Sequence, residues 1–185
     1  YSDSFFQSNP ILGAASVRAG NVIGGGDWPK SRIIPDCIRA LQAKEPILLR
    51  NPGSTRPWQH DLEPIFGYLA LAVRLYESPA QYSGAWNFGP RVESIRPVQA
   101  LASRVGEAWG NGEIKTDIDP NAPHEARLLQ LNCDKANQLL EWFPCWDFDR
   151  TVDETIHWYK VFTEGKSAVE ITTQQIQDYR MSQND

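Results

Sequence analysis

Ile11-Leu12-Gly13-Ala14-Ala15-Ser16-Val17-Arg18-Ala19-Gly20-Asn21-Val22 runs on into Ile23-Gly24-Gly25-Gly26-Asp27-Trp28-Pro29. A short, mostly apolar run ending in three glycines reads as a buried strand entering a tight loop. Beyond it, Ile33, Ile34, Cys37, Ile38 and Leu41 recur at helical spacing, with Pro35 in the first turn where a missing N–H costs little. Ile47-Leu48-Leu49 is a short strand closed by Asn51-Pro52-Gly53. A second helix carries Leu62, Ile65, Phe66, Leu69, Ala72, Val73 and Tyr76 on one face, with Asp61 as its N-cap. Ala85-Trp86-Asn87-Phe88 is a strand stopped by Gly89-Pro90, and Pro97 opens a helix through Trp109 with Val98, Leu101, Ala102, Val105 and Ala108 inward. Residues 113–119 alternate as an edge strand, and 134–142 form a short helix. Thr151 with Glu154, and Thr172 with Gln175, have capping-box spacing and open the last two helices. Strand and helix signals alternating in this way indicate an α/β fold with parallel strands and crossovers.

The 185 residues carry a net charge of −5, with 41% apolar and 22% charged side chains, which suits a globular domain and excludes a disordered acidic tail. The longest apolar run, 65–73, is too short to span a bilayer, and no charged-then-apolar leader opens the chain. Cys37, Cys133 and Cys145 are odd in number and widely spaced, which fits a reducing compartment better than a disulfide framework. A pI near 5.2 argues against nucleic acid as a main partner. Seven tryptophans indicate a rigid core with scope for an aromatic-lined pocket.

The glycine-rich turn matches neither common nucleotide motif. Lys30-Ser31 follows Pro29 instead of the glycine of a Walker loop, and Pro29 stands where the third glycine of a dinucleotide fingerprint belongs. Two readings stand side by side, a tight turn after a strand and a ligand-lining turn at the carboxyl end of a sheet strand. His60, His124 and His157 have no partners at metal spacing, and His157, between Ile156 and Trp158 on a helix, reads as structural. There is no Gly-x-Ser-x-Gly elbow, and Tyr1 is followed four positions later by Phe5, so it opens no Tyr-x-x-x-Lys pair. Arg56, in the loop 54–61, can aim a planar fork at a phosphate, the bland alternative being a solvated loop arginine. Asn21 and Asn87 sit at strand ends where open α/β sheets place ligand groups, although asparagine is also a common turn former.

Taken in order, these segments resemble the extended short-chain dehydrogenase/reductase family that acts on sugar nucleotides. Arg18-Ala19-Gly20-Asn21-Val22-Ile23-Gly24 resembles its R-x-x-N-V-x-G strand end, and Arg56-Pro57-Trp58-Gln59-His60 its R-D-[WFY]-x-[YH] segment. Trp86-Asn87-Phe88-Gly89 resembles [YF]-N-[IL]-G, and Lys135 with Ala136, Leu139, Leu140 and Trp142 resembles S-K-x-x-x-x-L-G-W. The triple glycine before Asp27-Trp28, the Arg-Pro-Trp-Gln-His wording and Pro123-His124-Glu125-Ala126 are similar to the CDP-glucose 4,6-dehydratases within that family. The resemblance covers residues 11–160 and, more loosely, the tail.

It implies the carboxyl-terminal part of a Rossmann-like fold with a small mixed α/β substrate-binding subdomain, filling residues 1–185, the amino-terminal NAD-binding portion lying outside this chain. Residues 1–6 read as the tail of a helix, and the whole as a fragment. The activity implied is a lyase that uses NAD internally. It oxidises C4 of the hexose, eliminates water across C5–C6 and returns hydride to C6, giving CDP-4-dehydro-6-deoxyglucose for deoxysugars of O-antigen polysaccharide. The tyrosine–lysine pair and acid/base residues would stand upstream, so no catalytic residue is expected here. By resemblance, Asn21 and Arg56 match positions that contact the substrate diphosphate, and Asn87 one near it. Arg32 and Ile33 match backbone against the nucleotide, while Ala19 and Gly20 match backbone by the nicotinamide. The family's later arginine before Pro-Gly is absent, since Ala122 precedes Pro123, and His124 with Arg127 behind it is the substitute. A cytoplasmic setting, a homodimer when full length, a nucleotide sugar as partner and neither nucleic acid nor membrane complete the expectation. The rivals are another sugar-nucleotide epimerase or dehydratase, which the same clamp would serve, and a binding module that holds a nucleotide sugar without chemistry.

Overall fold

The computed structural model describes residues 12–117 and 129–183. The opening apolar segment forms strand, but in two pieces, β1 (Ala15–Ala19) and β2 (Asn21–Ile23), parted by a bend at Gly20. β1 pairs in parallel with β5 (Gly84–Phe88), Ala19 facing Phe88. β2 pairs in parallel with β4 (Thr55–His60), Asn21 facing Trp58, and β4 pairs antiparallel with β6 (Ile95–Pro97). Gly20 is what lets one run of chain serve two sheets. A Cβ there would lie 2.7 Å from the Pro57 carbonyl oxygen, so only glycine admits β4 at the changeover. A third parallel pair joins β3 (Ile47–Leu49) to β7 (Ile114–Thr116). The segment is also less buried than a core strand: Val17 is 39% and Val22 41% exposed, and β1 is paired on one edge only among the described residues.

The helices are α1 (Ile33–Ala43), α2 (Leu62–Glu77), α3 (Pro79–Tyr82), α4 (Val98–Trp109), α5 (Asp134–Leu140), α6 (Phe148–Thr163) and α7 (Ala168–Ser182). The main core joins Ile34, Cys37, Ile38 and Leu41 of α1 to Leu101, Ala102 and Val105 of α4 and to Val152, Ile156 and Tyr159 of α6, over Ile47 and Leu49. These are the positions that the helical spacing of α1 and α4 predicts. A second cluster, Leu71, Tyr82, Trp86, Phe88, Ala136 and Trp142, packs α2, α3 and α5 on β5.

α2 turns a different face inward from the one its apolar spacing predicts. Pro64, Gly67 and Leu71 are buried beside Leu62, whereas Ile65, Leu69, Val73 and Tyr76 point outward, Tyr76 at 90% exposure. Close approach decides this: a Cβ on Gly67 would meet the Phe88 ring at 2.4 Å, so the helix lies on β5 along its smallest residue. Asp61 makes no side-chain cap bond at the start of α2. His60 Nδ1 instead accepts the Leu62 N–H at 3.3 Å. Neither capping-box threonine is a cap. α6 begins after Asp147, whose carboxylate accepts the Arg150 N–H at 2.8 Å, and α7 begins after Ser167. Thr151 is buried inside α6, where its hydroxyl has no hydrogen-bond partner among the described residues, and Thr172 Oγ1 accepts from Trp158 Nε1 at 3.0 Å. His157 sits on α6 with an exposed side chain, not in the core.

One buried carboxylate ties these elements together. Glu63, fully buried on α2, accepts from the Cys145 N–H at 3.0 Å, the Trp146 N–H at 2.7 Å and the Tyr179 hydroxyl at 2.5 Å. Burial pushes its pKa above the ordinary 4.5, and the donors pull it only partly back. The folded form therefore holds the proton more tightly than the unfolded chain. Its stabilising contribution is full below the ordinary value and is lost as pH rises through the raised pKa. Glu63→Ala, which strands three donors, should cost about 3–5 kcal/mol. In urea titrations, the advantage of wild type over Glu63→Gln should shrink from mildly acid pH toward neutrality; an advantage that grows with pH would contradict desolvation as the dominant cause.

Candidate functional site

The bend at Gly20, strand β2, the glycine turn, the amino end of α1 and the start of β4 enclose a cleft of about 520 Å³. Gly20, Asn21, Arg32, Ile33 and Arg56 all line it, so five sequence candidates converge on one wall. Parallel pairing explains the first two, because Asn21 faces Trp58 across β2 and β4 at the cleft floor. Arg56 stands on β4 and not in a loop, a correction to its expected setting. Its Nη1 donates to the Thr55 carbonyl at 2.9 Å, and the strand fixes its backbone in a way a loop would not.

Arg32 occupies the N-cap position of α1, and its Nη1 donates to both oxygens of Asp27 at 3.2 Å. This pair is exposed, 64% on the arginine side, so it stabilises by only about 0–1 kcal/mol, and the guanidinium can turn to another anion at little cost. Ile33 opens α1, whose first turn borders the cleft and presents the positive end of the helix dipole to it.

The glycine turn is packed from behind and borders the cleft on its other side. It is a packed turn: a Cβ on Gly25 would fall 2.0 Å from Cγ of Trp158, so α6 lies directly against this backbone. The Tyr159 hydroxyl donates to the Asp27 carbonyl at 2.7 Å and accepts the Asp27 N–H at 3.0 Å. Burial pushes the Tyr159 pKa up to about 12, which keeps that proton in place at neutral pH. Gly24 and Asp27 of the turn also border the cleft. Asp27, Ser31 and Trp58 are lining residues that the sequence reading passed over, and only the Gly-Gly-Gly-Asp wording hinted at the first.

Two candidates lie apart. Ala19 ends β1 and Asn87 lies on β5 opposite Arg18, and neither borders the cleft. Asn87 Nδ2 donates to the Asn132 carbonyl at 2.9 Å, while its Oδ1 is buried with no hydrogen-bond partner among the described residues. His124, and Arg127 behind it, lie outside the described residues. The tryptophans mostly build core: Trp58, Trp86, Trp142, Trp146 and Trp158 are each at most 6% exposed, and Trp58 alone among them lines the cleft. A separate cleft of about 390 Å³ between α6 and α7 involves none of the candidates. Among the described residues, no three His, Cys, Asp or Glu side chains are grouped to hold a metal, and no helix is long and apolar enough to cross a membrane.

No family model matches the chain. Solved structures define its fold class. A dTDP-glucose 4,6-dehydratase from Bacillus anthracis in complex with NAD aligns with a TM-score of 0.64 at 17% identity, over 82% of this chain and 46% of that one. A UDP-glucuronic acid 4-epimerase from Bacillus cereus in complex with UDP-glucuronic acid and NAD aligns with a TM-score of 0.70 at 16% identity, over 88% and 48%. The fold is that of the Rossmann-like extended short-chain dehydrogenase/reductases, over the carboxyl-terminal portion of those proteins. In sequence, the chain is 42% identical to the CDP-glucose 4,6-dehydratase of Salmonella typhimurium over 97% of its own length. It spans 51% of that relative, about half.

Gly25→Ala should drive a methyl group into the Trp158 ring and cost about 1–3 kcal/mol. A thermal melt indistinguishable from wild type would show that the turn and α6 are not held together as described.

Proposed function

We propose that this chain supplies the substrate-binding portion of an NAD-dependent sugar-nucleotide dehydratase that converts CDP-D-glucose to CDP-4-dehydro-6-deoxy-D-glucose with loss of water. The observation that carries the proposal is the convergence of Asn21, Arg32, Ile33 and Arg56 on one cleft. The sequence match at 42% identity is to a dehydratase, whereas the epimerase named above shares the fold at 16% identity, and this favours dehydration over epimerisation.

In this reading the substrate diphosphate lies along the cleft. Arg56 presents a planar fork to it, Asn21 donates from its amide, and the amino end of α1 adds dipole stabilisation. Arg32 exchanges its exposed contact with Asp27 for the nucleotide. Ala19 and Asn87 lie at the carboxyl ends of the parallel pair β1 and β5, where open α/β sheets receive ligands. The Ala19–Gly20 backbone would border NAD, and Asn87, whose Oδ1 has no hydrogen-bond partner among the described residues, would lie near the substrate diphosphate. When bound, NAD supplies the hydride acceptor for C4 and the donor for C6. The residues here bind and orient, and the proton-transfer groups belong to an amino-terminal portion outside this chain. The outward apolar stripe of α2 (Ile65, Leu69, Val73), with the open edge of β1, supports a covering portion of that kind.

In the full-length enzyme, Arg56→Ala should lower kcat/KM for CDP-glucose by about 30- to 1000-fold, with Arg56→Lys recovering part and NAD affinity unchanged. A loss within about threefold would overturn the assignment. Leu69→Gln with Val73→Gln should destabilise the full-length protein by about 2–4 kcal/mol yet reduce self-association of the isolated chain. The same small effect in both settings would mean that nothing covers the stripe.

A further inference from the structure

The antiparallel register of β4 and β6 sets Arg56 directly opposite Arg96. Side chains opposed in this way leave the same face of the sheet, with Cβ atoms about 4.5–5.5 Å apart. Each guanidinium offers several N–H donors in a planar fork, so the two together present a cluster of donors on one face. The fold does not ask for arginine at residue 96. β6 is a three-residue strand, Arg96 is exposed, and what the fold uses there is the backbone carbonyl, which accepts the Trp58 Nε1–H at 3.0 Å. That bond holds the backbone of residue 96 against Trp58, which lines the cleft with Arg56 and Val98, so Arg96 itself stands just outside the lining, at the cleft's margin.

We infer that Arg96 is a second cation for the nucleotide diphosphate, acting with Arg56 so that each phosphate meets its own guanidinium. The inference rests on the nucleotide-sugar reading of the cleft and deepens it. A dianion that bridges two opposed guanidiniums accepts charge-assisted hydrogen bonds from both. Two fixed cations match a diphosphate, whereas a monophosphate engages one. Arg96 therefore selects diphosphates over monophosphates, beyond adding affinity.

The test is calorimetric titration of the full-length protein with CDP and with CMP, in wild type, Arg96→Gln, Arg96→Lys and Arg56→Gln, with thermal melts of each without ligand. Arg96→Gln should weaken CDP binding about 10- to 100-fold and CMP binding by less than about threefold, with Arg96→Lys between the two. Its ligand-free melting midpoint should stay close to that of wild type, because Arg96 is exposed and the fold uses only its backbone carbonyl. If Arg56→Gln loses CDP affinity while Arg96→Gln stays within about threefold of wild type, the role of Arg96 is overturned and the cleft reading survives. Equal losses for CDP and CMP with a lowered midpoint would make Arg96 structural and also overturn the inference. A wild type that fails to bind CDP would overturn the nucleotide reading, and the inference with it.

Discussion

The carbonyl oxygen of Pro57 stands 2.7 Å from where a side chain on residue 20 would begin, and this contact between two backbones organises the molecule. It ends the pairing of β1 with β5 and starts that of β2 with β4. A side chain at residue 20 would hold β4 away and remove the floor on which Asn21 faces Trp58. Gln59, buried next to Pro57's neighbour Trp58, returns the link by donating to the Phe88 carbonyl at 2.9 Å, so the two sheets stay joined at their carboxyl ends.

The wall of the cleft is held from behind. Trp158 packs on Gly25 and Tyr159 grips Asp27, so α6 sets the shape of the glycine turn. His60 and Glu63, at the junction of β4 and α2, reach the other way: His60 lies edge-on to Trp146, and Glu63 gathers the donors of Cys145, Trp146 and Tyr179. A buried carboxylate is costly unless fully bonded, and the same bonds that satisfy it specify where α7 must dock. The stability of the far side and the precision of the cleft are thus properties of one connected packing.

Charge is distributed against the average. The chain has a net charge of −5, yet Arg32 and Arg56 line the cleft and Arg96 is opposed to Arg56 in register. An anion entering the cleft would meet two guanidiniums, with the Asp27 carboxylate also on its border, in a chain whose overall charge is of the opposite sign.

Local signals in the sequence determined the helices α1 and α4, the strands β3 and β5 and the alternating α/β order, because each rests on periodicity or on a glycine or proline close at hand. They also marked Asn21 and Arg56, each read from its own segment, whereas Arg32 and Ile33 were marked only by the family resemblance. The tertiary structure decided what no local window contains. The apolar face of α2 points outward because Gly67 and the Phe88 ring, distant in sequence, fit more closely than the larger side chains could. Thr151 and Thr172 lost their capping roles to the packing of α6 and α7, and the opening strand was divided by a neighbour that approaches from residue 57. The opposition of Arg56 and Arg96 is of the same kind. Strand register is set by pairing across the sheet, and a one-residue slip would carry the two guanidiniums to opposite faces.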